Sequence, residues 1–578
     1  MTERFDEQDR AWPARPWIMA AIGALGGLVV HLLTDGHTAY GDTFPVWKQA
    51  ATAFTVIATI SFLLTVELRR WTWSIAFALA WGAVIALVGW FTAQYNRNGE
   101  IMEFPFLSGI LAVLIAAPLF QTFRDEGAWR FPYGRLHRHA WTDAVIGAAS
   151  LVFTGITFLL AWLIASLFDV IGIDAVKELL QEEWFSWMLA GFAFGGAVGL
   201  LRERDALAAT LQKLVMVVLS VLAPVLAVAL AAFLLSLPFT GLGGLWESNV
   251  PATPMLLLSG AGAIMLANAV IRDGRDERSA NVWMRRAAMV LVACVLPLAL
   301  LAALSMGERI GQYGWTPERI WGVVAVLVAI AYGAAAWWAV FKGRQEFDGP
   351  LRPLQTKLAI GLTGLALLLA LPILDFGAIS AKSQLARLES GKVKAEEFDW
   401  TAMAFDFGPA GRRALERIAA TGGSDRRELA KAALETDDRW ALARQADIVE
   451  NKADIEARVR LRSPDIEWTD ALRRRVAERG NCADGMECAL VRVGPDRLML
   501  LTSQGPGTYL SAMVIDTTEQ PATVAGRPDT AIAIESAPTA SDGLKADLSK
   551  ADVDVRQEMV SRVYVDGKPV GPAVPINR

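Results

Sequence analysis

Eleven apolar runs decide what this chain can become. Each is at least about 17 residues long with no charge inside, the length needed to cross the hydrocarbon of a bilayer. They cover about 17–33, 50–66, 71–93, 104–121, 144–167, 184–201, 214–236, 254–271, 287–305, 320–341 and 358–375. In hydrocarbon no water can satisfy backbone N–H and C=O groups, so every run must be a helix. After the stretch Leu371–Trp400 no run is long enough to cross a membrane. The expected fold is therefore mainly α: a cytoplasmic tail (1–16), a polytopic bundle of about 11 transmembrane helices (17–376), then a small soluble α+β domain. That domain divides into a helical part (377–480) and a β-rich part (481–578). The first run follows directly on the N-terminal tail and could mimic a signal peptide. No convincing small-x-small cleavage site follows, so it reads as an uncleaved first span.

Composition agrees with lipid as the main partner. Hydrophobic residues make up 54% of the chain, charged residues 20%, and the mean hydropathy is +0.35. A net charge of -5 offers no basic field suited to nucleic acid. Three cysteines exclude a disulfide-dense scaffold, and four histidines leave little material for a metal centre. No cofactor and no metal are expected.

The loops assign the sides. Alternate segments carry Arg4, Arg10 and Arg15; Arg69 and Arg70; Arg124, Arg130, Arg135 and Arg138; Arg202, Arg204 and Lys213; Arg272, Arg275, Arg278, Arg285 and Arg286; and Lys342, Arg344, Arg352 and Lys357. The intervening loops hold Lys48, Arg97, Lys177, then Arg309 with Arg319. The tally is 21 against 5. The positive-inside rule puts the first set, and the N-terminus, in the cytoplasm. An odd number of spans then puts the C-terminal domain outside, which for a bacterial inner membrane is the periplasm. Trp17, Trp47, Trp71, Trp90, Trp141, Trp184, Trp283, Trp321 and Trp338 fall near run ends, where an indole has both apolar surroundings and a partner for its N–H.

No Asp, Glu, Lys, Arg or His sits near the centre of a run, which counts against an ion-coupled pump or an intramembrane protease. Pro224 and Pro297 each follow a basic residue by eleven positions in similar runs. They read either as a parallel helical repeat or as convergence among apolar letters. His31, Asp35, His37 and Asp42 cluster at the first outer loop in no recognised metal spacing, and His137 and His139 belong to an arginine-rich inner loop. IGIDAVKELLQEEW reads as a short amphipathic helix.

The most distinctive outer segment contains Glu308, Arg309, Tyr313, Glu318 and Arg319. Thr316 and Pro317 are a good N-cap and N1 pair, so one reading is a capped re-entry turn. The other is a polar site whose arginines receive a phosphate or carboxylate. Asp375, Ser380, Ser383 and Gln384 lie on the same side, where the last span meets water. The two segments are expected to touch and to dock the soluble domain.

In the soluble part, four or five short amphipathic helices precede strand-like segments CALVRVG, RLMLLTS, TYLSAMVID and SRVYVDG, read as an antiparallel sheet. Asp566-Gly567 is a hairpin tip. Cys482 and Cys488 could bond in an oxidising compartment or remain free thiols in a reducing one. No nucleophile elbow, phosphate loop, CxxC or zinc pattern is present.

The segments Ile379-Ser380, Ser383-Gln384-Leu385, Ser390-Gly391 and Phe398-Asp399, with Gly408, Gly411 and Ala414-Leu415, resemble a bacterial membrane family, domain of unknown function 4153. The turn Tyr313-Gly314-Trp315-Thr316-Pro317-Glu318-Arg319 is similar to that family's Tyr-Gly-x-Thr-x-x-Arg turn. The resemblance implies a polytopic bacterial inner-membrane protein with a soluble C-terminal region. It assigns no catalytic residue. The leading functional expectation is a non-enzymatic envelope protein presenting a periplasmic interaction domain to an envelope protein or a lipid-linked partner. The alternatives are a permease or flippase for a lipid-linked or amphipathic substrate, and a membrane enzyme acting on an anionic lipid-linked substrate at the outer face.

Overall fold

The computed structural model describes residues 12–35, 44–95, 102–243, 251–395 and 397–436. Beyond these it describes 439, 442, 455–456, 458–469, 472–473, 475–476, 482, 486–494, 497–503, 510–516, 560–565 and 568–575. Eleven helices among them are long and apolar enough to cross a membrane: α1 (Arg15–Thr34), α2 (Val46–Thr65), α3 (Trp71–Tyr95), α4 (Glu103–Glu126), α5 (Tyr133–Val170), α7 (Glu183–Glu203), α8 (Asp205–Thr240), α9 (Ala252–Ile271), α10 (Val282–Tyr313), α11 (Pro317–Gly343) and α12 (Asp348–Ala370). The short α6 (Ala175–Gln181) lies between α5 and α7. This is a multi-pass membrane protein. Leu151, Leu159, Trp162 and Leu163 of α5, and Val225, Val228 and Leu235 of α8, are all more than half exposed. That face suits lipid tails.

Between helices lipid supplies no hydrophobic drive, so close packing of small residues has to hold them. Around α8 to α12 the core is built from Ala263, Ala267, Ala288, Leu291, Val295 and Leu298. A second cluster joins Met19, Leu63, Ile146 and Val198 from α1, α2, α5 and α7. The tightest pair is α1 with α7. A Cβ on Gly23 would overlap the Gly191 carbonyl, one on Gly27 the Trp187 carbonyl, and one on Gly195 the Met19 carbonyl. The partners run in opposite order along the two helices, so the pair is antiparallel. Glycines four apart, Gly23 and Gly27 on α1 and Gly191, Gly195 and Gly199 on α7, let the backbones touch.

The chain divides into two compact units: residues 1–389 with 402–414, and 390–401 with 415–578. After α12 come α13 (Phe376–Glu389), α14 (Trp400–Phe405), α15 (Gly408–Thr421) and α16 (Ser424–Glu435). The last span is shorter than its apolar run: α12 stops at Ala370, and residues 371–374 turn before α13 begins. In the second unit, β1 (Val459–Leu461), β2 (Glu487–Gly494), β3 (Arg497–Ser503) and β4 (Leu510–Asp516) form one sheet in that order. The pairings β2–β3 and β3–β4 are antiparallel, but β1 runs parallel to β2. The sheet is thus mixed rather than antiparallel throughout. Three-residue β1 lies in a segment read as helical, too short for alternation to reveal it. A separate hairpin pairs β5 (Val560–Val565) with β6 (Lys568–Pro575). Its Asp566-Gly567 tip, like His37 and Asp42, lies outside the described residues. Ile455, Val459, Leu490, Leu498, Leu500 and Ile515 pack one core under the sheet.

Candidate functional site

The turn between α10 and α11 is built by local rules. Gly314 takes φ 76°, a left-handed conformation that suits glycine, and its N–H donates to Ile310 O at 2.8 Å. Thr316 caps α11 by accepting the Arg319 N–H at 3.4 Å, with Pro317 at the first helical position. A helix end leaves its last carbonyls without partners, and α13 supplies donors to them. Gln384 Nε2 donates to Tyr313 O at 2.9 Å and Trp315 O at 3.0 Å. Arg387 Nη2 donates to Gln312 O. In return Ser383 Oγ accepts the Trp315 N–H at 3.2 Å. Ser383, Gln384 and Arg387 share one helical face, so the three act together.

The start of α13 is fixed as well. Asp375 Oδ1 accepts the Ala378 N–H at 2.8 Å and the Tyr95 hydroxyl from the end of α3. A Cβ on Gly377 would overlap the Phe407 carbonyl, and one on Gly408 (φ 56°) would overlap the Tyr95 ring. Residues 402–414 therefore fold back against α13 and α3. Ser380 is fully buried in the same helix, and its Oγ has no hydrogen-bond partner among the described residues.

The acid–arginine neighbours of the turn do not pair with each other. Glu308, Arg309 and Glu318 are exposed. Glu308 accepts from Gln312 Nε2 at 3.3 Å. Arg319 Nη1 donates to Tyr313 O at 3.3 Å and Gly314 O at 2.7 Å, and its guanidinium lies 5.4 Å over the Tyr313 ring. The arrangement offers guanidinium donors to an anion beside a rigid turn.

A second polar constellation sits at the opposite end of the bundle. The basic segments, read only as a sidedness signal, interlock there. Arg15 donates to Arg202 O at 3.1 Å and Val66 O at 3.0 Å. Arg124, whose side chain is 3% exposed, donates to Thr65 O at 2.6 Å and pairs with Glu67. Arg202 pairs with Asp143 at 3.4 Å, and Gln121 Nε2 donates to the same carboxylate at 2.9 Å. Arg138 reaches Asp273 at 3.3 Å. Arg278 pairs with Asp348 at 3.1 Å and Glu346 at 2.9 Å. Those acids, the Glu346 hydrogen bond first, hold the Arg278 guanidinium above its usual pKa. Arg352 completes the cluster at 2.9 Å from Asp348 and donates to Ile271 O at 2.7 Å. These bonds tie all six basic segments to one end. A single span too many or too few would have put some of them at the other.

His137 and His139 also change character. The helix α5 begins at Tyr133, so both are helical rather than in a loop. His137 is buried, 3.1 Å from the Tyr133 hydroxyl, and His139 pairs with Asp125 at 2.9 Å. His31 lies in the last turn of α1, 4.0 Å from Glu183. Beside it a cleft of about 740 Å³ is lined by Thr34, Phe44, Phe158, Gln181, Glu183 and Trp187, among others. Among the described residues no group of three or more His, Cys, Asp or Glu could hold a metal ion. In the second unit, Cys482 and Cys488 form a disulfide, while Cys294 in α10 is a buried free thiol.

Neither a curated protein nor a solved structure matches this chain. Residues 51–418, from α2 into α15, match the family described as Domain of unknown function (DUF4153). The match takes in the α10–α11 turn, the α13 clamp and Gly408, and it covers more than half of the sequence. The chain belongs to the DUF4153 family.

Proposed function

We propose that this is a bacterial inner-membrane protein whose bundle presents its C-terminal domain, as a binding module, on the periplasmic face. One observation carries the reading: the chain leaves its last span through a helix that is hydrogen-bonded to the bundle. Ser383, Gln384 and Arg387 fix α13 to the turn at residues 312–315. That turn lies at the end opposite the interlocked basic segments. A hydrogen-bonded exit fixes the end of the bundle from which the chain continues into its C-terminal domain. Side follows from charge: the basic end is cytoplasmic by the positive-inside rule, so the domain is periplasmic. The Cys482–Cys488 disulfide supports an oxidising compartment.

A permease or flippase for an amphipathic substrate is the second reading. It draws on the cleft beside Trp187, where aromatic rings adjoin Gln181 and Glu183. One experiment separates the two. In a deletion strain, a chain ending at Ala414, which keeps the bundle and drops residues 415–578, is compared with the full chain. Presentation predicts that the shortened chain inserts but does not restore the deletion phenotype. If it does restore it, the work is done among the spans and the presentation reading falls.

A further inference from the structure

The acids at the basic end of α9 to α12 are largely engaged. Asp273 takes Arg138, Glu346 takes Arg275 and Arg278, and Asp348 takes Arg278 and Arg352. Three cations of the same end are left over. Arg286, Lys342 and Arg344 are exposed, and among the described residues their side chains make no ion pair and no hydrogen bond.

These three gather at the mouth of one groove. The antiparallel helices α10 and α11 are fixed to each other at two points. A Cβ on Gly333 would come within 2.7 Å of the Leu296 Cα, so the α11 backbone lies against α10 there. One turn nearer the basic end, Trp337 Nε1 donates to Ala293 O at 2.8 Å. That carbonyl is the one freed by Pro297, whose ring nitrogen has no hydrogen to return the helical bond. Carried on toward the helix ends, this register brings Arg286 level with residues 343–344. Arg286 lies two turns before Ala293 on the same stripe of α10. Phe341 follows Trp337 by one turn, their ring centroids 5.8 Å apart. The groove is thus flanked by Arg286 on one helix and by Trp337, Phe341 and Arg344 on the other.

Depth selects the partner. The Arg286 guanidinium lies 5.1 Å over the Trp283 ring, and Lys342 Nζ lies 5.8 Å over the Trp338 ring. Trp283, Trp338 and Phe341 are all more than half exposed. Exposed indoles mark the level of lipid headgroups. Arg286 springs from one turn deeper than Trp283, because α10 runs from there into the membrane. A cation at that depth is costly without an anion, and the anion found there is a phospholipid phosphate. We propose that the groove between α10 and α11 binds the headgroup of an anionic phospholipid in the leaflet at the basic end. Its phosphate bridges the guanidiniums of Arg286 and Arg344, Lys342 adds charge at the rim, and an acyl chain runs along Phe341 and Trp337.

The test uses the full chain in phosphatidylcholine nanodiscs, with and without phosphatidylglycerol, and reads retained lipid by native mass spectrometry. Wild type is expected to retain phosphatidylglycerol selectively. Arg286→Gln removes no hydrogen bond or ion pair among the described residues, so it should insert as wild type does. It should weaken retention about tenfold, the effect of one charge-assisted hydrogen bond. Arg69→Gln, which removes an exposed arginine from the α2–α3 loop at the same end, should leave retention unchanged. If Arg69→Gln costs as much as Arg286→Gln, retention reflects the charge of the whole face and the site is overturned. Equal retention by wild type and an Arg286/Lys342/Arg344 triple glutamine variant would overturn it as well. A second arm adds glycerol phosphate, the headgroup without its chains. Displacement only in large excess supports the lipid. Displacement at the lipid's own concentration would make the groove a soluble-anion site and overturn the lipid assignment.

Discussion

Gly191→Leu is expected to dismantle the α1–α7 pair, while Gly147→Ala leaves the protein as stable as before or slightly more so. The contrast follows from what each new side chain would meet. At Gly191 the obstacle is the Gly23 carbonyl, and at Gly23 it is the Gly191 carbonyl. Further along, Gly199 would bring a Cβ within 2.6 Å of the Pro16 Cα. Backbone cannot rotate aside as a side chain can, so the helices have to part along their length. Overpacking a tight core costs about 1–3 kcal/mol, and a collision with backbone belongs at the upper end of that range. The separation would also strain the Arg15 bonds to Arg202 and Val66 at the basic end. A Cβ on Gly147 would meet no other described residue within 4 Å, so alanine gains roughly 0.5–1 kcal/mol of helix propensity. Thermal unfolding in detergent, followed by size-exclusion, should show a large drop in Tm for the first variant and none for the second.

Asp348→Ala should be as damaging for a different reason. The Asp348 side chain is 3% exposed and faces Arg278 at 3.1 Å and Arg352 at 2.9 Å. Removing it leaves two guanidiniums near one another without their shared anion. Losing one partner of a buried pair typically costs about 3–5 kcal/mol. The cluster also closes the end of α9, since Arg352 donates to Ile271 O and Gly274 O. Among the described residues, the non-glycine ones with left-handed backbone, Arg272 (φ 50°) and Arg344 (φ 48°), lie in the same region. Strain of that kind persists where the surroundings hold it. Replacing all three charges together, Asp348→Leu with Arg278→Met and Arg352→Met, should recover a substantial part of the loss, because no charge is then left unpaired. If the triple variant melts no higher than Asp348→Ala, the cluster acts through more than charge pairing.

The spans were legible because each is a long apolar run, and lipid permits only one backbone solution for such a run. Their ends were less so. The run that begins at 144 belongs to a helix that begins at Tyr133, because His137, His139 and Arg138 look like loop letters when their partners are unseen. Asp273, which receives Arg138, is distant in sequence, Asp125, which pairs with His139, lies on the preceding helix, and His137 meets Tyr133 within its own. The same blindness hid the basic lattice: Arg124 and Arg352 counted as topology signals, and nothing local to them announces Glu67 or Ile271. The sequence reading passed over the glycines of α1 and α7, because nothing local says which helix meets which. At the turn, Thr316 and Pro317 state their roles locally, as caps do. The groups of α13 that meet it, the acceptor Ser383 and the donors Gln384 and Arg387, come from about seventy residues away, and the sequence singled out Ser383 and Gln384 but not Arg387.

The central claim is that the chain exits its last span on the side opposite the basic lattice, carrying its disulfide-bonded domain into an oxidising space. Paired reporters fused after Arg578 test this most directly in living bacteria. The account predicts that alkaline phosphatase is active there and green fluorescent protein is dark, with the reverse for fusions truncated at Arg286. A fluorescent protein that glows at the C-terminus, with phosphatase silent, would contradict it.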